Sequence, residues 1–212
     1  MLITLSDPRH QPLEFIPGRI VIVSGPSGSG KTTLHKMLLA SPKLKDRLVK
    51  SISATTRLPR AGERDGKDYI FLTPNQFLSH RRQGYFLEWQ KVFNQYYGTP
   101  NRCVQQLLRQ GKNVLLCIDV KGARVAWRKH PRALKIFIKV PSLAILKKRL
   151  LARGTEDPSD LALRLATARK EMQEARHYDH VIVNDRLREA YRHLEQVVLH
   201  ELGAPRHDRS PA

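Results

Sequence analysis

Eight consecutive residues in the first part of the chain have the types and spacing that bind a phosphate chain. Residues 25–32 read GPSGSGKT, which places two glycines, a lysine and a threonine at the fixed positions of the pattern G-x-x-x-x-G-K-[ST]. Backbone N–H groups of such a loop wrap an anion, and the helix that follows points its positive end at the same phosphates. The pattern therefore predicts a site for a nucleoside triphosphate.

Individual residues of this loop have distinct expected roles. Lys31 should reach the β- and γ-phosphate oxygens, and the Thr32 hydroxyl can ligate Mg²⁺. A chance Gly/Ser loop is the alternative, but the segment lies between a β-branched run and a helical run, which is the context that the motif requires. The predicted triphosphate-binding segment is Gly25, Pro26, Ser27, Gly28, Ser29, Gly30, Lys31, Thr32 and Thr33.

The elements that must position this loop follow from hydrophobic patterning. Strands are predicted at 19–24, 48–55, 69–72, 86–93, 113–119, 134–140 and 180–184, and helices at 32–40, 75–83, 102–110, 143–152, 161–177 and 187–202. Apolar strands that alternate with helices indicate a largely parallel sheet covered on both faces. The predicted fold class is therefore α/β.

Positive charge dominates the composition. The chain has 212 residues, with 38 Lys and Arg against 19 Asp and Glu, a formal net charge of +19. Between residues 69 and 155 the acidic residues are only Glu88 and Asp119, so each of these carboxylates invites a specific role. The charge favours anionic partners. No nucleic-acid-binding module is recognisable, so we expect no specific nucleic-acid partner.

Composition also excludes several classes of protein. A hydrophobic fraction of 41% is enough for a packed core, which argues against wholesale disorder. Two cysteines are too few for a disulfide framework and fit a reducing cytoplasm. No apolar run reaches 18 residues, and residues 1–17 lack the basic and apolar regions of a signal peptide. We therefore expect a cytoplasmic protein without a membrane partner.

Six motifs in order give the chain a wider resemblance. After the phosphate loop come S-x-S-x-TTR-x-PR-x-GE-x-x-G-x-DY at 51–69, FLEW at 86–89 with YYGTP at 96–100, IDVKGA at 118–123, RLLARGT at 149–155 and YDHVIVND at 178–185. In these motifs the chain resembles guanylate kinase, the family that phosphorylates GMP with ATP. The resemblance runs from about Gly18 to Leu199. It implies a P-loop NTPase core with helices on both faces of a parallel sheet, an inserted GMP-binding subdomain and a helical lid.

The resemblance assigns two groups of residues to GMP. Those that match the phosphate grip are Arg57, Arg60, Tyr69 and Tyr97, and those that match the guanine-recognising set are Ser53, Glu88, Thr99 and Asp119. Two arginines and two phenols can enclose a phosphate dianion through charge-assisted hydrogen bonds. A carboxylate can accept from the N1–H and the exocyclic amine of guanine together, a donor pair that adenine lacks. Taken singly, the arginines could belong to a solvated loop and the tyrosines to half-buried packing.

Two further assignments from the resemblance keep alternatives beside them. Asp119 could contact guanine, act near Mg²⁺, do both, or cap the turn that follows its strand. Glu63 also matches a position of the GMP-binding region, where we expect it to support the arginines.

The second half of the chain is expected to serve ATP. In the family this region resembles a lid, and Arg149, Arg153 and Arg164 are the candidates to stabilise the charge that spreads over the γ-phosphate. A helix kept soluble by cations is the alternative. Asn184 matches a family segment near the adenine, although a strand followed by Asn-Asp also reads as a turn and helix cap. The predicted catalytic residues are Lys31, Arg57, Arg149 and Arg164.

The function implied by the resemblance is transfer of the ATP γ-phosphate to GMP, with Mg²⁺, to give ADP and GDP in purine nucleotide metabolism. The alternatives are a kinase for a phosphorylated sugar, a non-catalytic guanylate-kinase-like module and a nucleic-acid binder. The intact guanine set and the intact Lys31 argue against the first two. The expected organisation is a leader at 1–17, a guanylate-kinase-like domain at 18–202 and a disordered tail at 203–212. Within the domain we expect a GMP-binding region at 55–98 and a lid at 146–168.

Overall fold

The computed structural model describes residues 17–92, 94–152 and 158–203. Nearly all of the leader predicted at 1–17 and of the tail predicted at 203–212 lies outside these residues. Arg153 and the middle of the predicted lid lie outside them as well.

Nine strands and seven α-helices make up the described residues. The strands are β1 Ile20–Ser24, β2 Leu48–Lys50, β3 Ala54–Thr55, β4 Ile70–Phe71, β5 Phe86–Val92, β6 Gln95–Pro100, β7 Asn113–Cys117, β8 Leu134–Lys139 and β9 His180–Val183. The helices are α1 Lys31–Leu39, α2 Pro74–Arg82, α3 Asn101–Arg109, α4 Val120–Lys129, α5 Leu143–Leu151, α6 Pro158–Gln173 and α7 Leu187–Gly203, with a short 3₁₀ turn, Glu174–His177, after α6.

A five-stranded sheet forms the core, in the order β2-β7-β1-β8-β9, with all its neighbouring strands parallel. Successive residues of β1 point to opposite faces, as strand geometry requires. Ile20 and Ile22 pack into the cluster that holds residues of α3 and α4, whereas Val21 and Val23 pack into the cluster that holds residues of α1 and α7. Both faces are therefore covered, and the predicted α/β fold class is confirmed.

A second, four-stranded sheet runs in the order β4-β3-β6-β5. Its β3–β4 pair is parallel, and its other pairs are antiparallel. Helix α2 closes one face with Phe77, which stacks on Phe86 and Tyr96 at centroid distances of 4.5 and 5.2 Å. This sheet occupies the segment in which a GMP-binding region is predicted.

The structure differs from the sequence prediction at three places. A single strand at 48–55 was wrong, because β2 pairs with β7 in the parallel sheet and β3 pairs with β4 and β6 in the other. Strand β6 and helix α4 were not predicted. The buried residues of α4 include Gly122, Ala123 and Ala126. A glycine inside a helix lowers its helix propensity, so the local sequence does not indicate a helix here.

No helix among the described residues combines the length and the apolar character needed to cross a bilayer.

Candidate active site

The phosphate loop connects the central strand β1 to α1 and lies at the carboxyl edge of the parallel sheet, where ligands of such folds bind. Gly30 is the N-cap of α1, and its carbonyl accepts the first helical bond, from the Leu34 amide at 3.0 Å. The leading N–H groups of a helix point out of its N-terminal end, so those of the first turn of α1 are directed toward the loop. Together with the loop they form the anion-binding end of the helix.

Lys31 lies across its own loop. Its Nζ donates to the carbonyl oxygens of Gly25 and Pro26 at 2.6 and 2.9 Å. These bonds hold the ammonium group over the loop whose phosphates it is predicted to contact. A short movement of a flexible lysine side chain would bring its charge to an incoming phosphate.

Arg57 and Glu63 form an ion pair near the predicted GMP site. Nη2 of Arg57 donates to Oε1 and Oε2 of Glu63 at 3.0 and 2.8 Å, and the Arg60 amide donates to Oε2 at 2.8 Å. Partial burial alone would raise the pKa of Glu63, but the bonds from Arg60 and Arg57 outweigh it and lower that pKa. Glu63 therefore stays ionised, and it holds the Arg57 guanidinium and the Arg60 backbone amide together.

The two predicted tyrosines lie beside this pair. Their rings, on Tyr69 and Tyr97, meet edge to face with centroids 6.3 Å apart. The Arg57 guanidinium carbon lies 5.5 Å from the centre of the Tyr69 ring. The four residues predicted to hold the GMP phosphate thus occupy one region.

A cavity of about 270 Å³ connects three predicted parts of the site. It is lined by Ser27 of the phosphate loop, Arg57 and Arg60 of the loop after β3, Arg164 of α6, and Val92, Gln95 and Tyr97 of the second sheet. Donor-side and acceptor-side groups therefore face one space. Gln95 was not among the sequence predictions, and its place just before the YYGTP motif was the only signal for it.

Glu88 and Thr99 form a buried acidic site on the second sheet. They are paired residues of β5 and β6, and Thr99 Oγ1 donates to Glu88 Oε1 at 2.5 Å. Glu88 is only 5% exposed. Burial raises the pKa of Glu88 to about 7, against the Thr99 hydrogen bond and Lys129, which lower it, while nearby Asp119 raises it further. A buried carboxylate whose orientation is fixed by a hydrogen bond can accept hydrogen bonds from a pair of N–H donors.

The helix α4 begins against this carboxylate. Asp119 is the N-cap of α4, and its Oδ1 accepts from the Gly122 amide at 2.8 Å. Asp119 thus has the capping role that was considered as an alternative from the sequence. Its contacts with guanine or Mg²⁺ stay predictions. Ser53 lies half-buried between β2 and β3, and its carbonyl accepts from the Ile70 amide.

The ATP-side residues are placed differently from one another. Arg149 Nη2 donates to the carbonyl oxygens of Asn184 and Asp185 at 2.9 and 3.3 Å. Arg164 lines the cavity, and Arg153 lies outside the described residues. The Asn184 side chain is buried against the phosphate loop, where its Nδ2 donates to the Ser29 carbonyl at 2.8 Å.

One acidic residue of α6 was missed by the sequence reading. Glu171 lies seven residues after Arg164, so the two share one face of the helix. Burial raises the pKa of Glu171 to about 7. The negative charge of Asp119 also raises this pKa, whereas the positive charges of Lys31 and Lys121 lower it. Its spacing from Arg164 was the available signal. Its position gives Lys31 an acidic neighbour at the phosphate loop.

Comparisons with known proteins identify one family that this chain resembles over most of its length. A model of the guanylate kinase family matches residues 17–201. Guanylate kinase of Nitratidesulfovibrio vulgaris is 45% identical over 188 residues, 89% of each chain. Guanylate kinase of Synechocystis sp. is 42% identical over 86% of this chain and 94% of its own. The crystal structure of guanylate kinase from Anaplasma phagocytophilum superimposes with a TM-score of 0.72 at 30% identity, over 89% of this chain and 88% of its own.

Proposed function

This chain belongs to the guanylate kinase family, and from that premise we propose the role of its residues in substrate binding and phosphoryl transfer. The family phosphorylates GMP with ATP, so the chain is a kinase with these two substrates and yields ADP and GDP. Its fold is that of a P-loop NTPase. We place the activity in the cytoplasm, in the recycling of GMP.

The cavity between the phosphate loop and the second sheet is the observation that carries the proposal. Ser27, on the phosphate loop, and Arg57, in the loop after β3, line the same space. A donor phosphate on the loop and an acceptor phosphate at the arginines would therefore meet there. Direct in-line transfer needs this proximity and no covalent enzyme intermediate.

The donor is held by backbone and by cations. The amides of the loop and of the first turn of α1 bind the phosphate chain, and Lys31 moves from its carbonyl partners to the β- and γ-oxygens. Arg164, which lines the cavity, contributes positive charge where negative charge spreads over the transferred group. Arg149 joins it when it leaves the carbonyls of Asn184 and Asp185.

GMP is held at both ends. Arg57 and Arg60, which Glu63 orients, bind its phosphate together with the hydroxyls of Tyr69 and Tyr97. Glu88 accepts from the guanine N1–H and amine, with Ser53, Thr99 and Asp119 completing the contacts. Adenine would leave the buried Glu88 carboxylate unpaired, and a polar site of this kind discriminates by roughly 10⁴.

Magnesium fits the residues at the loop. Within the described residues no group of three or more His, Cys, Asp or Glu side chains could hold a metal ion. Thr32, exposed in the first turn of α1, offers one hydroxyl ligand. A Mg²⁺ ion that keeps waters and binds mainly through substrate phosphates needs no more than this. When bound, the ion neutralises charge on the β- and γ-oxygens.

The acceptor profile of the purified protein tests the proposal. A coupled assay with ATP should show rapid turnover of GMP and about 10⁴-fold lower efficiency with AMP. Turnover of a different acceptor without turnover of GMP would refute the assignment. Failure to bind ATP in calorimetry would instead indicate a non-catalytic member of the family.

A further inference from the structure

The side chain of Asn184 is tied to the phosphate loop. It follows strand β9, and its backbone amide continues the sheet by donating to the Lys139 carbonyl at 2.8 Å. Its Nδ2 donates to the Ser29 carbonyl at 2.8 Å in a buried position, and the residue is only 3% exposed. A rigid sheet therefore holds one amide group against one peptide of the loop.

The bond controls the direction of a backbone donor. The Ser29 carbonyl and the Gly30 N–H belong to the same trans peptide plane, and the two groups of such a plane point in opposite directions. Because Asn184 holds the carbonyl on its own side, the Gly30 N–H is turned away from Asn184. Loops of this type bind phosphate through inward-pointing N–H groups, so the orientation of this peptide matters for binding.

Gly30 accommodates the contact in two ways. Its φ of 91° lies in the left-handed region that favours glycine. A Cβ atom at this position would lie 2.2 Å from Nδ2 of Asn184, which is closer than packing permits. The Asn184 side chain can therefore lie this close to the loop only because residue 30 is glycine.

Asn184 also contacts the ATP-side arginine. Its carbonyl accepts from Nη2 of Arg149 at 2.9 Å, while its side chain holds Ser29. The residue thus bridges the phosphate loop and helix α5.

We propose that Asn184 is a positioning residue that holds the Ser29–Gly30 peptide in its phosphate-binding orientation, and that it acts on the donor's phosphates whatever base the donor carries. The proposal rests on the proposed function only for the identity of the donor. The bond to Ser29 uses only Nδ2 and leaves Oδ1 without a hydrogen-bond partner, so the expectation that Asn184 lies near the adenine stays a separate prediction.

Calorimetry with ADP and with inorganic tripolyphosphate, which has no base, tests this inference. We expect Asn184→Ala to lower the affinity for both ligands by a similar factor. That factor should be roughly tenfold, which is the loss expected for one hydrogen bond. Weaker ADP binding with unchanged tripolyphosphate binding would place Asn184 at the base and overturn the proposal. Unchanged binding of both ligands would overturn it as well. These measurements need no GMP turnover, so they fail independently of the proposed function.

Asn113 provides a matched control. Its Nδ2 also donates to a main-chain carbonyl, that of Arg47, at 2.8 Å, but it lies at the start of β7 and the opposite edge of the sheet. Asn113→Ala should lower stability without changing the affinity for either ligand. A comparable loss of affinity in this variant would show that the Asn184 effect is one of general stability.

Asn184→Asp gives a second readout that keeps the shape of the side chain. An ionised carboxylate cannot donate to the Ser29 carbonyl, whereas the protonated acid can. We expect ADP affinity, relative to wild type, to recover as the pH is lowered and the new carboxyl group takes up a proton. A constant deficit across pH 5 to 8 in a folded protein would contradict the proposed hydrogen bond.

Discussion

Glu88 and Thr99 face each other across β5 and β6, and the Thr99 hydroxyl donates to the Glu88 carboxylate at 2.5 Å inside the second sheet. The arrangement leaves Glu88 Oε2 for a ligand while Oε1 is held. A carboxylate buried in this way keeps one geometry, so a base with two adjacent donors gains both hydrogen bonds without reorganising the site.

Glu88→Gln should separate acceptor binding from donor binding. The amide replaces an acceptor by a donor that faces the guanine N–H groups, so we expect kcat/KM for GMP to fall by about 10³ or more, while ATP binding changes less than twofold. Steady-state kinetics with each substrate varied in turn would measure both effects. Equal losses for GMP and ATP would contradict the role of Glu88 in guanine recognition.

The GMP affinity should depend on pH through Glu88. Its pKa is raised to about 7, so in the substrate-free protein the carboxyl group is largely protonated below that pH. The protonated acid loses an acceptor, and we expect KM for GMP to rise by up to tenfold for each pH unit below about 7. Thr99→Val removes the hydrogen bond that lowers this pKa and should shift the profile to higher pH.

Two controls isolate this titration. GMP itself has a phosphate that titrates near pH 6, and the Glu88→Gln variant retains that step while it lacks the carboxyl group. Thr99→Ser keeps the hydroxyl and should preserve the wild-type profile. A wild-type profile identical to that of Glu88→Gln would show that Glu88 does not titrate in this range.

Glu63→Ala should weaken GMP binding through the arginines. The change removes the carboxylate that accepts from Arg57 Nη2 and from the Arg60 backbone amide, so the Arg57 guanidinium and the Arg60 backbone lose their shared partner. We expect KM for GMP to rise several-fold with KM for ATP unchanged. Glu189→Ala breaks an exposed Arg186–Glu189 pair on α7 and should change neither constant. A wild-type KM for GMP in the Glu63→Ala variant would show that the Arg57–Glu63 ion pair does not contribute to GMP binding.

Lys31→Ala should nearly abolish turnover. Its charge is expected to reach the transferred phosphate, and loss of one such group costs about 10²–10³ in kcat. Lys36→Ala removes an exposed lysine from the same helix and should leave kcat within twofold of wild type. Retention of most activity in Lys31→Ala would remove the loop lysine from the mechanism.

Local sequence signals predicted most of the fold. The β-branched run at β1 and the glycine-rich pattern after it identify the phosphate loop, because both depend on neighbouring residues only. The break between β2 and β3 was not predictable in this way, since Leu48–Thr55 is one run of strand-forming residues and the two halves join different sheets through long-range pairing.

The residues of the candidate site also differ in whether local sequence or long-range contacts determine them. Residues carried by a motif, such as Lys31, Arg57 and Glu88, were named from the sequence. A bond between distant parts of the chain was not predictable in this way: the bond from Asn184 to Ser29 joins residues 155 positions apart. Glu171 was missed because its relation to Lys31 depends on how α6 packs near the phosphate loop.

Gly122→Ala tests how tightly the guanine site is built. A Cβ atom at Gly122 would lie 2.4 Å from Glu88 Oε2, so alanine must displace the carboxylate from the position in which Thr99 holds it. Alanine favours a helix over glycine by about 1 kcal/mol, and this gain offsets part of the cost in stability. We therefore expect KM for GMP to rise at least tenfold with ATP binding and thermal stability little changed. Arg128→Ala, an exposed change on α4, is the control. Wild-type GMP kinetics in a folded Gly122→Ala protein would mean that Glu88 can move without loss of recognition, which a preorganised carboxylate cannot do.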